Sequence, residues 1–116
     1  MAAVNTSVWD QQELYSRFNQ QTELVKKIIQ LFINQVPQRV DQLRQFMLQQ
    51  DCEGAAFQAH SIKGACGSIA APALQQLCHQ INELADQGKG AELPTLVESL
   101  DYEASELLAR LHSYNH

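Results

Sequence analysis

The sequence is short of the residues that mark several common protein classes. Cysteine appears three times, at Cys52, Cys66 and Cys78, and no two form a C-x-x-C pair. A disulfide framework and a structural zinc site of paired cysteines are therefore not readable, and each of the three sits where an apolar residue would fit, which predicts reduced, buried thiols. Basic residues are few: Lys+Arg 8 against Asp+Glu 13 gives a formal charge of -5. No sequence-wide positive field is available for phosphodiester backbones or anionic lipid, which sets aside nucleic acid and membrane surfaces as partners. No apolar run approaches the roughly 18 residues of a membrane span. The opening MAAVNTSVWD has neither a basic nor an apolar region of the kind that starts a signal peptide, so a cytoplasmic protein is expected. A nucleotide loop of glycines followed by Lys and Ser/Thr is missing too, which predicts no kinase or ATPase activity of its own. Sustained apolar and polar alternation, the mark of a half-buried strand, is likewise absent.

What remains is a chain of 116 residues, 45% hydrophobic and 18% charged, enough to bury one core and fit for a single domain over 1–116. Apolar residues recur at spacings of three and four almost throughout, the helical period, so the fold class is all α. Val8 to about Phe18 reads as a short helix carrying Trp9, Leu14 and Phe18. Thr22 is placed as the N-cap of a long second helix with Ile28, Leu31, Phe32, Val36, Val40, Leu43 and Met47 inward, running to about Gln50 and kinked at Pro37. Asp51 caps a third helix with a narrow seam of Ala55, Ala59, Ile62, Cys66 and Ile69. Pro72 opens a fourth with Leu74, Leu77, Ile81 and Leu84 inward, and Gly88-Lys89-Gly90 stops it. The fifth starts near Pro94, carries Leu93, Val97, Leu100, Leu107 and Leu111, and reaches about Ser113. Four long amphipathic helices with short links, over about 22–113, make an antiparallel bundle, with the short first helix over one end.

The third helix holds the informative stretch, His60-Ser61-Ile62-Lys63-Gly64-Ala65-Cys66-Gly67. Two glycines in a helix interior weaken it, so their presence beside a histidine and a lysine asks for a reason. At 100° per residue, with the apolar seam as zero, Lys63 lies at about 80°, Gly67 at about 120°, His60 at roughly 140° and Gly64 at about 180°. Ala56 and Ala71 fall on the same stripe at about 100° and 160°, and Phe57 near 200°. The histidine is thus ringed by side chains of one carbon or none, on a face turned to solvent. Glycines needed for internal packing belong on the seam, so this bare stripe points to something external approaching His60 closely.

The stretch A-H-S-I-K-G-A-C-G-S-I-A, followed by P-A-L-Q-Q-L-C-H-Q-I, resembles the signature of histidine-containing phosphotransfer (HPt) domains, including those that end hybrid sensor kinases. The core of the likeness is H-x-[LI]-K-G on the third helix of a bundle, with Ala70 and Leu74 matching the small residue and the leucine further on. It extends loosely from about Trp9 to Leu111. The chain has Ala70 where many members have glycine, and Asn82 where they have glutamine on the fourth helix. The resemblance implies that His60 accepts a phosphoryl group from the aspartate of one receiver domain and passes it to the aspartate of another. It further implies that Lys63 is the adjacent cation and that Gly64 leaves room for the phosphoryl group and the partner.

The chemistry of these residue types agrees. A neutral imidazole nitrogen is nucleophilic near pH 7, and the phosphorylated ring is a good leaving group. Lys63, three residues on, can set its ammonium beside phosphoryl oxygens. No carboxylate cluster adjoins His60 in the sequence, so the chain needs no cofactor of its own and Mg²⁺ is expected on the partner receiver. Gly67, Ala56, Ala71, Phe57 and Asn82 are the candidate contacts for that partner, which meets a monomer. Two rivals stand beside this reading. One is a cofactor- or metal-binding four-helix bundle, for which Cys66, Cys78, His79, His112 and His116 are the available ligands, although metal binding is not expected without paired spacing. The other is an interaction bundle that keeps the shape without being phosphorylated.

Overall fold

In the computed structural model, residues 7–114 are described. Five α-helices follow in order: α1 (Gln11–Arg17), α2 (Thr22–Leu48), α3 (Cys52–Ile69), α4 (Pro72–Asp86) and α5 (Val97–Tyr114). There is no strand among the described residues. The long helices α2 to α5 form the four-helix bundle, with α3 packed between α2 and α4 and α5 closing against α2 and α4. The all-α bundle with a short additional helix is thus the architecture that the apolar spacing predicts.

Local chemistry explains each boundary, and moves several by a few residues. Val8, Trp9 and Asp10 precede the first helix rather than opening it, because the Asp10 side chain caps it by accepting from the Glu13 N–H at 3.1 Å. Asn19 and Gln20, both with positive φ, turn the chain after Phe18. Thr22 is the first residue of α2, not its cap; Gln21 precedes the helix and makes no side-chain cap bond. The helix then runs through Pro37 without ending, so the loss of one backbone bond is tolerated where the apolar stripe continues. At the next junction Gln50 takes a left-handed φ of 58°, and Asp51 caps α3 through Gly54 N–H at 3.0 Å. Gly88, with φ 73°, lets the Lys89 N–H return to the Leu84 carbonyl at 2.9 Å and closes α4. The fifth helix begins later than Pro94: Gly90–Leu96 form a tight 3₁₀ segment that buries Gly90 and Leu93 before α5 starts.

One continuous core joins all five helices. Every seam position expected on α3 is buried. On α2 the inward set is Val25, Ile29, Phe32, Val36, Val40, Leu43 and Met47, whereas Ile28 is half-buried and Leu31 is 57% exposed. Near its start, therefore, α2 turns Val25 and Ile29 fully inward, while Ile28 packs on the edge of the core and Leu31 stays largely in solvent. Leu77, Leu84 and Val97 are likewise only half-buried, and Cys78 and Ala85 fill the α4 seam beside Leu74 and Ile81. Outside the core, Arg44 ties α2 to α5 through Asp101, with Nε and Nη2 at 2.7 and 2.6 Å from Oδ1, and also holds Asp41. The three cysteines are free thiols; Cys66 and Cys78 are buried, and Cys52 is only half-buried beside Gly90.

The far end of the bundle is closed by α1. The Trp9 indole donates to the Ile69 carbonyl at 2.9 Å, and the Asp10 N–H donates to the Ala70 carbonyl at 2.7 Å. Trp9 and Tyr15 both meet the Tyr114 ring edge-on, and the two tyrosine hydroxyls are hydrogen-bonded. These contacts hold the end of α3 in place, and so fix the helix that carries His60.

Candidate functional site

Helix α3 has the small seam that lets it lie close between α2 and α4, and its outer face is correspondingly bare. His60 projects from that face, exposed, and makes no hydrogen bond or ion pair with another described residue. Gly64, one turn on, is exposed, and apart from its chain neighbours and the helix's own backbone no atom lies within 4 Å of the position a Cβ would take. An incoming group therefore meets an imidazole with unobstructed space beside it. Lys63 is half-buried and leans over the junction with α4, where its charge acts on Cys78. That thiol is pushed up to about 12 by burial, against the opposing pull of the Lys63 ammonium. Burial drives the Cys66 thiol higher still, with Cys78 adding to the shift, so both sulfurs stay protonated and inert behind the histidine face.

A shallow groove of about 550 Å³ runs beside His60, lined by Ala56, Phe57, His60, Ser61, Asn82 and Asp86. Four of the residues singled out in the sequence thus share one feature: His60, Ala56, Phe57 and Asn82. Phe57 is 69% exposed, unusual for a residue of its size. Asn82 donates from Nδ2 to Asp86 at 3.0 Å, along its own helix. Asp86 and Ser61 are additions that sequence reasoning did not single out. Asp86 could have been found from its i, i+4 spacing to Asn82; Ser61 carries no such signal.

The remaining candidates lie elsewhere. Gly67 is half-buried in a polar recess with Arg17 and Gln75: its carbonyl accepts from Arg17 Nη1 at 2.6 Å, and a Cβ there would stand 3.0 Å from Gln75 Nε2. Ala71 is not on the solvent stripe. It is fully buried, because α3 ends at Ile69 and Ala70 takes the left-handed conformation (φ 62°, ψ 56°), after which the 100° step no longer applies. That same φ explains why glycine suits the Ala70 position.

Among the described residues no three His, Cys, Asp or Glu side chains gather as a metal-ligand set. The ligands considered for a metal-binding bundle are dispersed: Cys66 and Cys78 point into the core, and His79 is exposed against Glu83 at 3.2 Å. His116 lies outside the described residues. No described helix is long and apolar enough to cross a membrane.

No curated protein and no solved structure matches the chain. A family model does, over residues 27–113, a span that takes in α3, α4 and nearly all of α2 and α5, with His60 and its groove inside it. The matched model is the Hpt domain, whose members carry out histidine phosphotransfer in phosphorelays, and since it covers most of the chain, the chain belongs to the Hpt domain family.

Proposed function

We propose that the protein is a phosphocarrier of a multistep phosphorelay in which His60 is the residue phosphorylated. The observation that carries this reading is the exposed, unpartnered His60 beside the open space at Gly64. In the forward step the lone pair of a neutral His60 ring nitrogen attacks the phosphorus of an aspartyl phosphate on a receiver domain. The P–O bond to the aspartate breaks, its carboxylate leaves with the electron pair, and an N–P bond forms while the other ring nitrogen keeps its proton. In the second step the carboxylate of another receiver aspartate attacks the same phosphorus, the N–P bond breaks, and the neutral imidazole returns. Lys63 supplies a cation one turn from the ring for the phosphoryl oxygens, and Gly64 leaves the approach clear. Asn82 and Ala56 line the groove in which the partner's loops rest. Mg²⁺ belongs to the receiver, where it neutralises charge on the transferring group; this chain supplies positioning, with no kinase or ATPase step. The protein acts in the cytoplasm as a monomer.

The test is incubation with a panel of phosphorylated receiver domains and with phosphoramidate as a small phosphodonor, followed by detection of acid-labile phosphate. His60→Gln is expected to abolish labelling while leaving the thermal midpoint nearly unchanged, since an exposed side chain off the core carries little packing energy. Labelling that persists in His60→Gln, or a wild-type chain that no receiver charges, would overturn the assignment.

A further inference from the structure

The His60 face is polarised. Lys63 lies one turn toward the C-terminal end of α3 and is the cation of this face; Arg17, further along at Gly67, is paired with Glu13 at 3.2 Å. The other end of the face is acidic, because the antiparallel run of α4 brings its last turn alongside the first turns of α3: Asp86 lines the His60 groove with Phe57. Phe57 also lines a second groove, of about 380 Å³, together with Phe46, Asp51, Glu53, Gly54 and Gln58. Its charged groups are both acidic. Glu53 is exposed and makes no ion pair with another described residue, and Asp51 is exposed with one oxygen engaged as a helix cap. Gln58, only 8% exposed, uses its Nε2 to donate to Gln42 at 2.8 Å and leaves its buried Oε1 without a partner among the described residues. The walls are aromatic, since Phe46 lies against Gly54, where a Cβ would come within 2.4 Å of its ring. The carboxylates of Glu53, which has no ion pair, and of Asp86, which accepts from Asn82 with one oxygen, stand on either side of an exposed aromatic ring and fit a ligand that is cationic at its tip and apolar along its stem.

We infer that the Phe57 end of α3 is a recognition subsite for a basic side chain, lysine or arginine, on the receiver domain that docks over His60. This rests on the phosphocarrier reading and adds to it the chemistry of the partner's contact. The stem packs on Phe57, the charge sits between Glu53 and Asp86, and the opposite sign at Lys63 makes the reversed docking orientation repulsive. One polarised face therefore sets the direction in which a receiver is laid across the histidine.

The probe is the receiver domain that charges His60 in the assay above, titrated against the full chain at roughly 0.05 M and about 0.5 M salt. The double substitution Glu53→Gln with Asp86→Asn, which keeps shape and removes charge, is expected to weaken receiver binding about tenfold at low salt, with the loss shrinking to about twofold at high salt. Phe57→Ala is expected to weaken it by about five- to tenfold at both salts. Direct labelling by phosphoramidate, which needs no docking, reports that His60 and the fold are intact in each variant. If a receiver charges His60 but binds the double variant as it binds the wild type at low salt, the subsite is wrong and the phosphocarrier reading stands. If the loss is the same at both salts, the contact is not the charged one inferred. A wild-type chain that dimerises at low salt and is dispersed by the double substitution would mean that a second copy covers this face, and would also overturn the inference. If no receiver charges His60, both readings fall.

Discussion

Glycines that look alike in the sequence do opposite things in α3. Gly64 faces open space, so Gly64→Ala should stabilise the isolated domain by about 0.5–1 kcal/mol through helix propensity. At Gly54 an added methyl meets three atoms of the Phe46 ring at 2.4 to 2.6 Å, and the ring is not a flexible tip that can step aside. Gly54→Ala should therefore destabilise by about 1–3 kcal/mol. Thermal midpoints of the two variants, side by side, check this: a shift of the same sign in both would refute the distinction. A third glycine is missing where the backbone asks for one. Gln50 holds φ 58° at the end of α2 on an exposed position, and Gln50→Gly should add about 0.5–1 kcal/mol by relieving the left-handed conformation. The bareness around Gly64 is legible in the sequence, because it depends only on the helical step; Phe46 beside Gly54 is not, because it arrives from another helix.

At the scale of the helix, phase decides what is buried. The apolar spacing of α2 admits two inward sets near its start, one through Ile28 and Leu31 and one through Val25 and Ile29. The structure takes the second, leaving Leu31 57% exposed and Ile29 fully buried. Ile29→Ala should consequently cost about 2–4 kcal/mol, whereas Leu31→Ala should cost less than about 0.5 kcal/mol. Chemical denaturation of the pair measures it; equal losses would place Leu31 in a contact that the fold does not show. The α3 seam, by contrast, was legible position by position, because Ala55, Ala59, Ile62, Cys66 and Ile69 leave no second phase in which apolar residues line up. Element ends were the least legible. Asp10 and Asp51 cap their helices as their chemistry demands, yet the late start of α5 depends on Gly90 fitting against the Gln50 carbonyl, where a Cβ would stand only 2.8 Å away.

Across the whole molecule, burial sets both thiol reactivity and the alkaline limit. Cys66 and Cys78 lie behind the histidine face with their ionisation suppressed, and Cys52 is half-buried. A thiol-reactive disulfide reagent near pH 8 should modify Cys52 first, and the other two only at the rate at which the bundle opens. Fast reaction of all three in the native protein would contradict the packing of α3 on α4. Tyr114, which joins α5 to α1, is pushed up to about 12, by burial first and then by its hydrogen bond to Tyr15. The folded state thus holds that proton more tightly than the unfolded chain does. The associated stability is fully present below about pH 10 and is lost as pH rises toward 12. Melting curves across this window should fall more steeply for the wild type than for Tyr114→Phe, which has no such proton; superimposable slopes would contradict it.

The amino-acid sequence by itself determined the helical class, the α3 seam, the His60 stripe and the family, since each of these depends on spacing along one helix or on a local motif. Tertiary structure alone decided which phase of α2 faces inward, that Ala71 is buried, and that Asp86 and Glu53 flank Phe57 beside the histidine. Glu53 stands one turn before Phe57 on α3 itself, but Asp86 comes from α4, and the inward phase of α2 and the burial of Ala71 after the left-handed Ala70 depend on how the helices end and meet. Their distances are set by how closely α3 can approach its neighbours, and the small side chains of its seam permit that approach without specifying what it brings together.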